Sequence, residues 1–377
     1  MCAYIPRLIS SKIEEAHKYF PVIVVTGPRQ SGKSTLCRNL YPDYKYFNLE
    51  QISNRTRALA EPETLIEDLG DYVIIDEIQY APDLLSLIQV RVDEDKKLRY
   101  ILTGSNNFSL VKSVTQSLAG RAAVFTLLPF SFKEMNEVKR TQSIESLMWH
   151  GQYPGVLADE IPPELFFRNY YTTYVERDLR DLINLKSLVA FDKFIRLMAL
   201  RVGSEFNASA ISREVGVTSK TISEWQSLLA TSYITYPLPP YFNNPLKRLT
   251  KMPKIYFYDT GLLCYLLNIE NREQLENHPL RGAIFENMAV VELMKKRFNE
   301  AKDPSLYFYR EQSGKEVDIL SVTGEGINLY EIKAGKSLNP DYIENMRYLK
   351  RTLANVNNTS VIYNGETMGS VINIRDI

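Results

Sequence analysis

Cysteine, histidine and tryptophan are scarce in this sequence, with three, three and two occurrences in 377 residues. Cys2, Cys37 and Cys264 lie far apart with no paired spacing, which argues against a disulfide framework or a zinc knuckle. His17, His150 and His278 are equally dispersed, so no His/Cys metal centre can be assembled from local spacing. No apolar run approaches the ~18 residues of a membrane span. The early charges Arg7, Lys12, Glu14 and Glu15 interrupt any signal-peptide core. The expectation is a cytoplasmic protein with no membrane partner. Charge of one sign is not in excess either, since 45 Lys+Arg balance 45 Asp+Glu. That excludes a uniformly basic nucleic-acid coat but leaves room for a local basic face.

What is present is ordinary globular material, 24% charged and 45% hydrophobic. At ~150 residues per domain the length predicts two or three domains. Residues 1–129 contain apolar β-branched runs at Pro21–Val25, Lys45–Leu49, Tyr72–Ile75, Arg99–Leu102 and Val124–Leu127, separated by helical patterns. Continuous apolar strands alternating with helices predict an α/β fold, a parallel sheet covered on both faces. Residues 130–200 are expected to be a helical lid region, with helical spacing over Leu182–Leu200. A helix-turn-helix with a wing is expected over 201–270. The last stretch, 271–377, reads as a helix (Ile284–Phe298) followed by strands at Leu306–Tyr309, Glu316–Leu320 and Leu329–Lys333.

Gly27-Pro28-Arg29-Gln30-Ser31-Gly32-Lys33-Ser34 matches G-x-x-x-x-G-K-[ST] between a predicted strand and a predicted helix, and Thr35 continues it. Glycines let backbone amides curl around phosphates, and the helix turns its positive end toward them. Lys33 supplies a cation to the phosphates of ATP, and Ser34 a hydroxyl ligand for Mg²⁺. The strand Val73-Ile74-Ile75 ends in Asp76 and Glu77. Acids at that end of a parallel strand face the ligand crevice. Asp76 is expected to hold Mg²⁺ through water, and Glu77 to polarise the attacking water. Ser105, or else Asn106, ends the next strand and can hold that water. Arg121 precedes the last strand; it reads either as an arginine finger for a neighbouring subunit or as a surface residue capping the preceding helix.

Within Ala210–Trp225, Gly216 is placed for a turn with positive φ and Thr218 for an N-cap. Ile211, Val215, Ile222, Trp225, Leu228 and Leu229 form the expected buried face. Ser219, Lys220 and Thr221 then face outward as candidate DNA contacts, with the basic cluster Lys247, Arg248, Lys251 and Lys254 in the wing. The competing reading is a winged helix that packs against protein. In the last domain, Asp318, Glu331 and Lys333 flank a tight turn, and Glu286 lies on the preceding helix. Carboxylates beside a lysine can form a Mg²⁺ site for phosphodiester cleavage, or a salt-bridged or solvated face.

The segments GPRQSGKST, VIIDEIQ, LTGSN, SLAGR and LPFSF resemble the AAA-type ATPase domain of a large bacterial and archaeal family. There this domain is joined to a C-terminal domain of unknown function, and YFYDTGLL, FEN, EVDIL and EIKA fit its second half. The resemblance implies an AAA+ nucleotide domain and a homo-oligomer sharing ATP sites. Asp318, Glu331, Lys333 and Glu286 also resemble the PD-(D/E)xK nuclease core, although Val317 stands where that core usually has Pro. The expected function is Mg²⁺-dependent ATP hydrolysis coupled to nucleic-acid binding. The rivals are a regulatory switch that binds a protein partner and an ATP-gated DNA nuclease.

Overall fold

The computed structural model of the chain describes every residue except 1–3, 106–113, 115–116, 136, 179–186, 243–251, 312–315, 336–346, 349 and 352. It divides into two compact units. The first is Met1–Pro129 with the short segments Thr231–Tyr233 and Phe298–Lys302. The second holds the rest of the chain from Phe130 to Ile377.

The first unit carries five strands: β1 (Val22–Thr26), β2 (Lys45–Asn48), β3 (Tyr72–Asp76), β4 (Arg99–Gly104) and β5 (Ala122–Thr126). They pair in the order β2-β3-β4-β1-β5, all parallel. The expected runs are all strands, shifted by a residue or two at their ends. Alternate residues of each strand enter opposite cores. Val22, Val24, Val73, Ile75 and Leu102 pack on one face with Leu65, Leu85 and Ile88 from helices. Ile23, Val25, Ile74 and Ile101 pack on the other with Ile13, Leu36 and Cys37. Burial on both faces is why the inner strands β1, β3 and β4 carry apolar runs instead of alternating, whereas the edge strands β2 and β5 are only partly buried. β4 lies between β1 and β3, so the carboxyl end of β4 separates the Gly-rich loop from the acids.

In the second unit, Ala208–Val215 and Ser219–Thr231 form the two helices of the expected motif. Gly216 sits at φ 87, ψ 30, and Thr218 Oγ1 accepts the Thr221 amide at 3.1 Å. Ile211, Val215, Ile222, Trp225 and Leu229 are buried, whereas Leu228 is only half-buried. The helix expected over Leu182–Leu200 is seen from Leu188 to Leu200; residues 182–186 lie outside the described residues. β6 (Thr235–Leu238) and β7 (Lys254–Phe257) make an antiparallel ribbon. β6 continues through Pro237, opposite Ile255. Proline lacks the amide a ladder needs but is tolerated in such a short, marginal ribbon.

The second sheet contains β8 (Leu306–Arg310), β9 (Glu316–Thr323), β10 (Gly326–Lys333), β11 (Val356–Tyr363) and β12 (Val371–Asn373), ordered β12-β11-β10-β9-β8. β8, β9 and β10 are antiparallel neighbours, and β10 and β11 are parallel. β11 and β12 were not expected. The first half of β11, Val356-Asn357-Asn358-Thr359-Ser360, is polar, and only its end, Val361-Ile362-Tyr363, is apolar and buried.

A buried polar network ties the start of this unit to the helix Arg281–Asn299. Lys295, 2% exposed, donates to Phe130 O at 2.9 Å and to Glu292 Oε1 at 2.9 Å. Gln152 Nε2 reaches the same Glu292 oxygen at 2.7 Å, and the Phe132 amide reaches Oε2 at 3.0 Å. Asp259 N-caps Thr260–Leu266 through the amides of Gly261 and Leu262. A Cβ on Gly151 would stand 2.3 Å from Asp259 Oδ1, and one on Gly261 2.3 Å from Phe167. The Asp-Thr-Gly run of YFYDTGLL is thus explained by a cap and a close packing contact.

Candidate functional site

The Gly-rich loop follows β1, whose neighbours are β4 and β5. The strand order reverses there, and a crevice opens outside the carboxyl ends. Gly27 has φ 144 and Gly32 φ 92. At Gly27 a Cβ would lie 2.2 Å from Leu127 O, so only glycine lets the loop leave β1 this close to the strand-end backbone. Gln30 also takes a left-handed conformation, at φ 60. Ser31 is fully buried, and its Oγ has no hydrogen-bond partner. The helix Lys33–Leu40 starts at the loop, and first-turn amides of a helix have no carbonyl one turn earlier. Lys33 is 5% exposed; its ammonium donates to Gly27 O at 3.1 Å and Pro28 O at 2.8 Å. Burial holds its pKa below the ordinary value, against the opposing pull of Glu77 and Asp76. Thr35 lines a cavity of about 410 Å³ with Arg38, Tyr44 and Tyr46. Arg29 reaches Glu50 at 3.3 Å.

Three hydroxyls converge on Asp76. Ser34 Oγ donates to Oδ1 at 2.9 Å, Thr103 Oγ1 donates to the same oxygen, and Tyr46 OH donates to Oδ2 at 2.5 Å. Strand register explains it: Asn48 of β2 pairs with Asp76, and Thr103 sits in β4 beside β3. Thr103 and Tyr46 were not singled out from the sequence. Thr103 lies in the quoted LTGSN, a polar residue at a strand end. Nothing in the sequence indicates that Tyr46 faces Asp76, since that depends on β2 lying next to β3.

Glu77 adopts a left-handed conformation, φ 59 and ψ 49, which turns its carboxylate out of the strand direction. Its Oε2 accepts from Ser105 Oγ at 3.1 Å, from the Ser105 amide at 3.3 Å and from Gln79 Nε2. Ser105 therefore does meet Glu77; Asn106 lies outside the described residues. Arg121 sits elsewhere. Its carbonyl accepts from the Val22 amide at 3.2 Å, which puts it at the amino end of β1 and β5, the opposite end from the loop. Its guanidinium forms a two-pronged pair with Asp93, both contacts 2.7 Å, and donates to Ala119 O at 2.9 Å. In its own chain it does not join the phosphate site.

The second candidate cluster lies in the second unit. Asp318 Oδ2 accepts the Ile332 amide at 2.7 Å, and Lys333 Nζ lies 2.7 Å from Glu331 Oε1. Glu286 Oε1 accepts from Tyr256 OH. Lys254 Nζ is 2.5 Å from Glu316 Oε1 and 3.9 Å from Glu286 Oε1. Burial, and then the charge of Asp318, push both Glu286 and Glu331 up to about 7. Burial also raises Asp318, against the Ile332 amide and Lys333. For Lys254, burial acts downward but is outweighed by Glu286, Glu316 and Asp318, and the net shift is upward. Among the described residues, no group of three or more His, Cys, Asp or Glu is arranged to hold a metal ion.

Ser219 and Lys220 are exposed and Thr221 half-buried at the start of the second helix of the motif. Lys247, Arg248 and Lys251 lie outside the described residues. Lys254, expected among them on a basic surface, is instead 6% exposed, because β7 turns it into the carboxylate cluster. A cavity of about 440 Å³ lined by Trp149, Phe167, Arg168 and Tyr265 shares no residue with either site.

A family model described as AAA domain matches residues 19–136. Two further models, the domains of unknown function DUF8612 and DUF4143, match 141–273 and 281–375. An uncharacterized protein of Mycobacterium tuberculosis is 31% identical over 320 residues, spanning 83% of this chain and 70% of its own. Another, of Methanocaldococcus jannaschii, is 25% identical over 365 residues, spanning 86% and 75%. The chain belongs to the family of the mycobacterial protein, and its first unit is an AAA-type P-loop ATPase domain. Among solved structures, a Walker-type ATPase of Pyrococcus abyssi covers 69% of this chain and 94% of its own, at 17% identity and TM-score 0.48. A signal-transduction ATPase with numerous domains from Pyrococcus horikoshii covers 79% and 50%, at 12% identity and TM-score 0.28. Neither likeness adds to the topology described above. No described helix is long and apolar enough to cross a membrane.

Proposed function

We propose that this protein hydrolyses ATP with Mg²⁺ in the crevice at the carboxyl ends of β1, β3 and β4. One observation carries the reading: Lys33, Ser34, Asp76, Glu77 and Ser105 come from three separate strand ends and meet there. The residues fit a magnesium nucleotide, because the Ser31 hydroxyl is buried without a partner and Ser34 already touches Asp76 at 2.9 Å. Magnesium, when bound, supplies charge neutralisation and holds the terminal phosphoryl group in place. Ser34 and Asp76 would hold it. Lys33 exchanges its two loop carbonyls for phosphate oxygens. The backbone N–H groups of the Gly27–Thr35 loop, Pro28 having none, cradle the phosphates. Glu77 orients water and accepts its proton, and Ser105 positions the Glu77 carboxylate. Arg121, at the far end of the sheet, can serve only a neighbouring subunit's site, and must leave Asp93 to do so. The experiment is ATP turnover and calorimetric nucleotide binding in the wild type and in Lys33→Ala. Absence of adenine-nucleotide binding by the wild type overturns the reading.

A second activity is favoured by the helix-turn-helix. Ser219 and Lys220 stand exposed at the start of its second helix, the position from which such helices meet DNA. Lys220 is 87% exposed in its side chain and only loosely paired with Glu224 at 3.9 Å. We read the second unit as a nucleic-acid-binding module regulated by the ATPase, with a nuclease-like acidic cluster at Glu286, Asp318, Glu331 and Lys333. A duplex-DNA gel shift that weakens with salt and with Lys220→Ala supports it. No shift at low salt favours the partner-binding switch instead. Metal-dependent DNA cutting abolished by Asp318→Ala identifies an ATP-gated nuclease.

A further inference from the structure

We propose that Gln79 is a positioning residue of the hydrolytic site: it fixes one oxygen of Glu77 and so assigns the other, Oε1, to the attacking water. The inference rests on the ATPase reading above and concerns how its base is aimed. β3 ends at Asp76, and Glu77, left-handed at φ 59, precedes the single 3₁₀ turn Ile78–Tyr80. The Tyr80 amide closes that turn on Glu77 O at 3.1 Å. Ile78 and Ala81 are buried in the core on one face of the sheet, so the turn is anchored on both sides of Gln79. Residues two apart in a straight strand stand about 7 Å apart; the turn instead folds the Gln79 amide back onto the carboxylate.

Gln79 Nε2 donates to Glu77 Oε2 and, more weakly at 3.4 Å, to Ser105 Oγ. Ser105 Oγ in turn donates to Glu77 Oε2 at 3.1 Å, and the Ser105 amide reaches the same oxygen at 3.3 Å. The three side chains close a ring that uses both amide hydrogens of Gln79, which a side chain with a single N–H or O–H cannot supply. An ionised carboxylate only accepts, so the Gln79 nitrogen must face it and Gln79 Oε1 must point away. That carbonyl oxygen is buried with no hydrogen-bond partner. A buried carbonyl without a partner is destabilising, and an apolar side chain of the same length would fill the position without stranding it. The two donors, not packing, therefore explain an amide here. With three donors on Oε2, the oxygen of Glu77 that has no hydrogen-bond partner among the described residues is Oε1. A general base needs a lone pair open to water and a fixed direction. Oε1 has the first, and the ring supplies the second.

The test is phosphate release by the full chain over a range of ATP concentrations, with calorimetric binding of a non-hydrolysable ATP analogue alongside. Gln79→Met keeps the length and removes both donors; kcat is expected to fall at least about tenfold, the scale of a misaimed group, while KM and analogue affinity stay within about twofold. Gln79→Glu keeps the shape but sets an acceptor against Glu77, and should fall further. In a Glu77→Gln background Gln79→Met should lower kcat no further, because a residue that acts only through Glu77 is not additive with its loss. If Gln79→Met does not fold, the same comparison is read from Gln79→Glu. An unchanged kcat in the Gln79 variant, or an equal fractional loss with and without Glu77, overturns the inference and leaves the ATPase reading standing. No ATP turnover by the wild type overturns both.

Discussion

Replacing Tyr46 by Phe tests the metal side of the ATPase site most directly. Tyr46 donates to Asp76 Oδ2 at 2.5 Å, while Ser34 and Thr103 occupy Oδ1. Phe keeps the ring, its half-buried position and the Arg38 guanidinium above it, 4.8 Å from the centroid. Only the phenol hydroxyl is lost. A hydrogen bond to a charged acceptor contributes about 1.5–3 kcal/mol, and loss of a partner orienting a metal-binding carboxylate typically costs about 10–100-fold in metal affinity. The expected result is a rise of about tenfold or more in the Mg²⁺ concentration that half-saturates binding of a fluorescent ATP analogue. Nucleotide affinity without metal should change much less, because the Tyr46 hydroxyl contacts Asp76 and Ser34, the two residues on the metal side of the site. The assay is a Mg²⁺ titration at fixed nucleotide, repeated as ATP turnover. An unchanged Mg²⁺ midpoint in a folded Tyr46→Phe protein refutes the reasoning: Asp76 would then be oriented by Ser34 and Thr103 alone, or would not hold the ion.

Glu77→Gln is expected to keep ATP binding and lose at least about 10²-fold in turnover, the usual scale for a positioned base, as measured by phosphate release at saturating ATP. Arg121→Ala should lower turnover about 10³-fold or more without weakening nucleotide binding; specific activity in the wild type should rise with protein concentration, and full activity in the variant would show that Arg121 only pairs with Asp93. Lys295→Met leaves Glu292 and Phe130 O without their buried cation; removing one partner of a buried pair costs about 3–5 kcal/mol, visible as an earlier unfolding transition of the second unit in calorimetry. Glu286 and Glu331 keep their protons up to about 7 when folded, against an ordinary value of 4.5. The folded form therefore binds more protons between those values, and the stability present below about 4.5 is lost as pH rises toward 7; urea midpoints at pH 5 and pH 8 should show the fall, and Glu331→Gln should flatten it.

Much of this molecule was legible from residue order alone. The loop from Gly27 to Ser34 is read locally because its glycines and its lysine act through backbone shape and one side chain. The inner strands of the first sheet are apolar because they are buried on both faces, so the parallel α/β architecture follows from their composition. Gly216 and Thr218 announce a turn and a cap by the same local chemistry. Long-range pairing is different. Asp76 meets Tyr46 and Thr103 only because β2 and β4 flank β3, a strand order that sequence does not encode locally. Only the last three residues of β11 are apolar; its polar first half is held in the sheet by its ladder with β10. Lys254 looks like a surface base in a basic run, and the register of β7 turns it inward onto Glu316. What residue order determined were the conformations each segment adopts on its own. What only the tertiary structure decided was which charges meet, because electrostatic pairing depends on distances between segments far apart in the chain, 62 positions for Lys254 and Glu316 and 165 for Lys295 and the Phe130 carbonyl.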